Sequence, residues 1–211
     1  MARVARAGNN RMRYPASERR EQILTAAAEA FAATGFQGTS LAEVAARVGV
    51  SQPGLLHHFG SKEALYLAVL EQRDQESDRV LDAEMAGVET TTRRWLMAHC
   101  RRNERQPGLI RLFTMQSAES LDPAHPAHAF FQERNLRIRG HIAQLIAADQ
   151  AKDILSATLD ADATALELIA LMNGLQLQWL RDRSVDMCAV LDTSLHRLEN
   201  LPTSPAPANS G

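Results

Sequence analysis

Apolar residues recur along this chain at intervals of three and four, the spacing that puts side chains on one face of an α-helix. Ile23, Ala27, Ala30, Phe31 and Thr34 make a first stripe. Ser17 is placed to cap that helix, and Gly35, which has no Cβ, is placed to end it. Leu41, Val44, Ala45 and Val48 make a second, shorter stripe closed by Gly49. Ser40 opens it with Glu43 three residues on, the spacing of a reciprocal capping box. A third helix opens at Ser51 and carries Leu55 and Phe59 inward. Pro53 is tolerated in its first turn, where N–H groups have no intrahelical partner. No strand-like alternation bounded by hairpin turn residues stands out anywhere.

Ser61 predicts the cap of a fourth helix, with Glu63 in its first turn, where negative charge suits the helix dipole. Leu65, Val69 and Leu70 pack near its start, and the charged run from Glu71 to Arg79 reads as the solvated face of a long helix ending near Gly87. Beyond it, helices are expected at about 91–105, 107–118, 127–149, 159–182 and 186–200, with Asp122–Pro126 as a loop. Leu109, Ile110, Leu112, Phe113 and Met115 make the 107–118 helix apolar almost all round, so it is expected to be buried. Leu166–Leu180 is apolar on more than one face, which predicts a helix sandwiched between its own core and a second surface. The expectation is an all-α fold of about nine helices.

Composition supports that picture. Of 211 residues, 45% are apolar and 23% charged, ordinary for a soluble globular protein, while aromatics at 5% and abundant alanine favour close-packed helices over a sandwich or barrel. Cys100 and Cys188 form no disulfide framework and no Cys-x-x-Cys pair, as suits a reducing cytosol. No apolar signal core follows the basic N-terminus, and Leu166–Leu180 is too short and too polar to span a bilayer, so a soluble, cytoplasmic chain without membrane contact is expected.

The net charge of −2 hides an asymmetry. Residues 1–62 carry 8 Lys and Arg against 4 Asp and Glu, a net +4, and the remainder carries −6. A basic N-terminal part on an acidic body implies that the first part alone meets a polyanion. Arg3, Arg6, Arg11 and Arg13 stand in residues 1–16 without an acid, which reads as a flexible basic arm; Pro202–Gly211 reads as a disordered tail. Residues 40–59, helix then glycine turn then Ser-capped helix, have the pattern of a helix-turn-helix, whose second helix enters the DNA major groove. An αα-hairpin inside a bundle has the same spacing, and periodicity alone does not choose between them.

Side-chain identities at fixed offsets add to this. Arg20–Ala27, Phe31, Gly35-Phe36, Thr39-Ser40, Val44-Ala45, Gly49-Val50-Ser51, Leu55, His58-Phe59 and Ser61–Leu65 resemble the TetR family of bacterial transcriptional regulators over about 50 residues without gaps. The resemblance implies a three-helix DNA-binding head, placed at 17–77. A long helix would join it to a ligand-binding and dimerisation bundle at 78–200, with residues 201–211 as the tail. It implies a homodimer, a double-stranded and (pseudo)palindromic DNA operator, and a small-molecule effector that releases a repressor.

Within the resembling stretch, Thr39 and Ser40 lie at a helix start, where free N–H groups favour a phosphate. Ser51, Gln52, Pro53 and Gly54 form the leading end of the recognition helix. Gln52 is suited to paired hydrogen bonds with an adenine edge, and the Pro53 ring to a thymine methyl. Gly54 would let the backbone approach DNA closely. His57 and Lys62 are expected to hold phosphates, and His58 either to do so or to pack. Where the family often has an aromatic hydroxyl, this chain has Leu56, which removes one phosphate contact and leaves the operator sequence open.

For the body, Trp95, His99, Phe113, Met115, Met172, Gln176 and Trp179 are candidates to line an apolar effector pocket. Gly174, Leu177, Leu191, Leu195 and Leu198 are candidates for the dimer interface, which by resemblance is a four-helix bundle made by the last two helices of each subunit. His99-Cys100 and His125-Pro-Ala-His128 match no zinc pattern, and no metal or other cofactor is expected. There is no phosphate-binding glycine loop, nucleophile elbow or His-Glu-x-x-His helix, so an enzyme is not expected. An all-helical small-molecule carrier or metal-binding protein remains the alternative.

Overall fold

The computed structural model describes residues 16–201. The expected basic arm and tail lie, apart from their inner ends, outside these residues. Among them the chain is all-helical, with nine helices in the order α1 (Ala16–Gly38), α2 (Leu41–Arg47), α3 (Gln52–Phe59), α4 (Lys62–Met85), α5 (Thr92–Arg105), α6 (Pro107–Glu119), α7 (His128–Gln150), α8 (Ala161–Arg181) and α9 (Met187–Glu199). No helix among the described residues is long and apolar enough to cross a membrane.

Local chemistry explains most boundaries. The Ser51 hydroxyl accepts from Gly54 N at 3.1 Å and that of Ser61 from Ala64 N at 3.0 Å. Thr91, Asp160 and Asp186 cap α5, α8 and α9 in the same way, each satisfying N–H groups that a helix start leaves free. Gly49 ends α2 with φ +68°, a conformation open to glycine. The expected capping box is corrected at Ser40. Its hydroxyl makes no capping bond, and Glu43 instead pairs with Arg47 one turn on, at 2.8 Å.

Gly35 does not end α1 outright but kinks it, at φ +73° and ψ 179°. A Cβ there would collide with the Glu119 carboxylate of α6. The kink frees Phe36 N to donate to Glu119 Oε2 at 3.1 Å, and the Thr39 hydroxyl donates to Gly35 O at 2.7 Å. One glycine thus brings the end of α1 against a helix far along the chain.

Two apolar clusters organise the molecule. The first joins α1, α2, α3 and the start of α4 around Ile23, Phe31, Val44, Leu55, Leu65 and Tyr66, all fully buried. Each such side chain contributes about 1.5–3 kcal/mol through removal from water. Leu112, Ala127 and Phe131 of the body reach into this cluster. The second joins α5 to α9 around Leu96, Cys100, Ile142, Ile146, Leu168, Met187 and Leu191. Helix α6 is only half-buried at Leu109, Phe113 and Met115, with Ile110, Leu112 and Gln116 inward, so it bridges the clusters and is not the sunken element its composition suggested.

Candidate nucleic-acid interface

Helix α3 is held from behind by Leu55, fully buried in the first cluster, with Phe59 packed against that cluster under the Arg20 guanidinium. Its other side is open. Ser51, Gln52, Pro53, His57 and His58 are all exposed. The His57 and His58 rings stand 6.1 Å apart, and both face solvent, so the packed alternative for His58 does not hold. Gly54 has a local reason to be glycine: a Cβ would press to 3.1 Å on the Ser51 hydroxyl that caps the helix. Leu56 is half-buried. An exposed amide and a proline ring at the leading end of a short, rigidly backed helix, with two imidazoles in its last turn, can meet base edges and phosphates in a groove.

Two other candidates are placed differently. Thr39 is buried, with its hydroxyl between Gly35 O and Thr34 Oγ1, so its side chain closes the α1 kink and is corrected as a phosphate contact. Ser40 beside it is exposed. Lys62 is half-buried; its Nζ donates to Gln37 O at 3.3 Å and lies 4.8 Å from the Phe36 ring centre. An ammonium has three donors, so Lys62 ties α4 to the end of α1 and keeps donors for an anion. At the start of α4, Glu63 is held below the usual carboxylate range, first by its own backbone N–H and then by Ser61. That helix end already has its negative charge.

The head is clamped to the body by polar groups for which sequence alone suggested no such role. Gln116 of α6 is fully buried; its Oε1 accepts from the Tyr66 hydroxyl, and its Nε2 donates to Phe31 O at 3.4 Å. Burial first, and the Glu119 charge second, push the Tyr66 phenol well above its ordinary pKa, so it stays a neutral donor. His125 packs its ring against Phe36 and Tyr66, with Nε2 4.0 Å from Glu119. A shift of α6 along its axis would therefore pull on both α1 and α4.

The seven candidate pocket residues fall into separate groups of contacts. Trp95 stacks on His99 at 5.0 Å and also meets His141 of α7. Phe113 lies under the Arg134 guanidinium, 4.7 Å away. Met172 and Trp179 instead belong to the second core, where the Arg183 guanidinium covers the Trp179 ring at 3.7 Å. Gln176 and Met115 are half-buried on separate helices. A groove of about 780 Å³ lies on the outer face of α1 and α2, and a much smaller cleft lies between α5, α7, α8 and α9; none of the seven lines either.

The interface candidates divide similarly. Leu191 and Leu195 are buried in their own subunit, 0% and 3% exposed, so these two are corrected; Leu198 is half-buried against that same core and keeps a face outward. Gly174 is exposed with open space where a Cβ would stand, and Leu177 is 38% exposed. Leu166 at 50% and Val190 at 44% join them on the outer surface of α8 and α9. Among the described residues no group of three His, Cys, Asp or Glu could hold a metal ion. The Cys100 thiol is pushed up strongly by burial, which makes it a packing group and not a nucleophile.

Residues 23–69 match the family model "Bacterial regulatory proteins, tetR family". Over 88 residues the chain is 43% identical to the HTH-type transcriptional activator FasR of Mycolicibacterium smegmatis, covering 41% of this chain and 39% of that one. Over 56 residues it is 50% identical to the HTH-type transcriptional regulator RutR of Escherichia coli strain K12, covering 26% of each chain. These alignments span well under half the length of either relative. The likeness of the fold is wider. A TetR transcriptional regulator from Chloroflexus aurantiacus J-10-FL superposes with TM-score 0.69 at 26% identity, over 87% of this chain and 93% of that one. Reduced Escherichia coli NemR superposes with TM-score 0.73 at 22% identity, over 90% and 100%. A helix-turn-helix head on a helical body is the architecture of DNA-binding regulators; residues 23–69 of this chain are similar to the heads of tetR-family bacterial regulatory proteins, and the described residues share the fold of a solved TetR regulator.

Proposed function

We propose that this protein is a homodimeric, sequence-specific DNA-binding regulator of transcription, acting in the cytoplasm as a repressor that a small-molecule effector releases from a (pseudo)palindromic operator. The observation that carries the reading is the open side of α3: Ser51, Gln52 and Pro53 at its leading end and His57 and His58 in its last turn, all exposed on a helix whose Leu55 is fully buried. In this reading Gln52 and Pro53 read bases, and His57, His58, Lys62, Ser40 and the backbone at Gly54 contact or approach the phosphate chain.

A second copy supplies the second head. The outer surface of α8 and α9, with Leu166, Gly174, Leu177 and Val190, is the face by which two copies would meet, and a two-fold axis there would present two α3 helices to half-sites one helical turn or a multiple apart. Effector release follows from the clamp. An effector that fits the body only with α6 displaced would strain the Gln116–Tyr66 and Glu119–Phe36 bonds and turn the heads away from that spacing. Such coupling is typically about 1–3 kcal/mol between sites.

Electrophoretic mobility shift with DNA fragments from upstream of the protein's own gene and its neighbours tests the reading. A slow complex that forms with two protomers per site and weakens steeply as salt rises is expected. Binding that is equal on every fragment and competed fully by unrelated DNA would contradict it.

A further inference from the structure

Helix α5 carries His99, Arg102 and Asn103 at positions i, i+3 and i+4, which share one helical face. Arg102 and Asn103 are each 5% exposed. Arg102 Nε, Asn103 Nδ2 and His99 Nδ1 all lie away from solvent without a hydrogen-bond partner among the described residues. Among the described residues Arg102 reaches one acceptor, Glu76 O on α4, through Nη2 at a long 3.5 Å. A buried guanidinium with no carboxylate opposite it is costly, and buried amide hydrogens are ordinarily bonded.

The surrounding charges do not balance Arg102. Asp74, 8% exposed, accepts from Arg134 Nε at 2.7 Å and from Arg137, and Arg137 also meets Asp78 at 2.8 Å. Those two carboxylates are matched by those two guanidiniums, which leaves Arg102, among the described residues, as one positive charge without an ion-pair partner. His99 does not add another. Desolvation, then Arg134 and Arg102, depress its pKa to about 4, so at neutral pH it is an uncharged ring that can still donate from one nitrogen. The walls near these groups are apolar: Trp95 stacks on His99, and Phe113 lies against Arg134.

We propose that Arg102, with Asn103 and His99, binds the carboxylate of a singly charged, otherwise apolar organic acid, and that this acid is the effector. The identification as effector rests on the regulator reading above; the anion site itself does not. Arg102 would take the carboxylate through its planar fork, Asn103 would donate to the same group, and the ring faces of Trp95 and Phe113 would cover the apolar part. One positive charge without an ion-pair partner calls for one negative charge.

The test uses the full-length protein without DNA. Thermal unfolding is followed with sodium hexanoate and octanoate, with 1-hexanol and 1-octanol, and with sodium chloride and sulfate at matched ionic strength. The acids are expected to raise Tm by several degrees, as a ligand held only by the folded state does. The alcohols and inorganic salts are expected to raise it far less. Arg102→Met should unfold at the same or a higher temperature than the parent without ligand and bind the acids at least tenfold more weakly. Asn103→Leu should also weaken the acids.

Equal shifts by acids and alcohols, equal shifts by sulfate, or undiminished acid binding in Arg102→Met would each overturn the proposal. So would an Arg102→Met protein that unfolds at a lower temperature or does not fold, since the guanidinium would then be structural. The mobility shift separates the two readings. Acid binding by a protein that never retards DNA removes the regulator and keeps the anion site. Retardation of DNA with no response to any acid removes the anion site alone.

Discussion

The bond between Tyr66 and Gln116 is where the head and body are joined most deeply, and its strength can be measured by a double-mutant cycle. Tyr66→Phe removes one hydroxyl at a fully buried position and leaves Gln116 Oε1 without a donor. An unsatisfied buried group costs about 1–3 kcal/mol. Gln116→Leu keeps the volume nearly constant, strands the Tyr66 hydroxyl at a similar cost, and also removes the 3.4 Å bond to Phe31 O, which adds roughly 0.5 kcal/mol at that length. In the double variant neither polar atom is left stranded, so the two penalties are not both incurred. The singles should therefore sum to more than the double by about 1–3 kcal/mol. Urea unfolding of the full chain, at one fixed protein concentration so that assembly does not shift the comparison, gives the three differences. Additivity to within about 0.5 kcal/mol would refute the reasoning, because the two groups would then not be sharing a buried bond.

Three further outcomes are expected. Gln52→Ala should relax discrimination at one base position by roughly 1–3 kcal/mol, whereas His57→Ala should weaken all sequences alike, both read by fluorescence anisotropy across a set of operator variants. Leu177→Glu should convert the protein to monomer in analytical ultracentrifugation with little loss of helicity, since Leu177 is an exposed side chain of its own subunit; a dimer that survives would move the interface elsewhere. The His99 pKa is depressed from 6.5 to about 4 in the folded chain, so the unfolded chain binds a proton that the folded one refuses between these values. Stability from this group is complete above pH 6.5 and is lost as pH falls toward 4, by on the order of 3 kcal/mol, and His99→Gln should flatten that part of the stability profile.

What was legible in the sequence was local. Nine helices announce themselves because each carries its own period and, in most cases, its own Ser, Thr, Asp or Pro at the start. The recognition helix is legible for the same reason: Ser51, Pro53 and Leu55 set its start and inner face within five residues, and whatever is left over faces out. The clamp was not. Tyr66 and Gln116 stand 50 residues apart, and Phe36 and Glu119 stand 83 apart, so a glutamine and a glutamate on α6 look like surface residues until the fold pairs them. Arg102 and Asn103 were hidden likewise, as polar residues at the end of a helix rich in arginine.

Other readings failed because period identifies a face without saying what covers it. Met187, Val190, Leu191, Leu195 and Leu198 recur at helical spacing on α9, but Met187, Leu191 and Leu195 are buried within their own subunit, while Val190 at the edge of that stripe is a large apolar side chain left exposed. Thr39 was read from its place before a helix, yet the kink at Gly35 turned its hydroxyl inward. Of the body's pocket candidates, Met172 and Trp179 pack in the second core, and the polar atoms left unpaired around His99 mark the more informative place.

The central claim is that the leading end of α3 reads DNA, and methylation interference on the operator fragment tests it most directly. Two clusters of interference are predicted in the major groove, on one face of the duplex, with centres one helical turn or a whole multiple apart. A protein carrying both Gln52→Ala and His57→Ala should lose the pattern while keeping its helix content. Interference confined to the minor groove, or a pattern unchanged in that double variant, would contradict the claim.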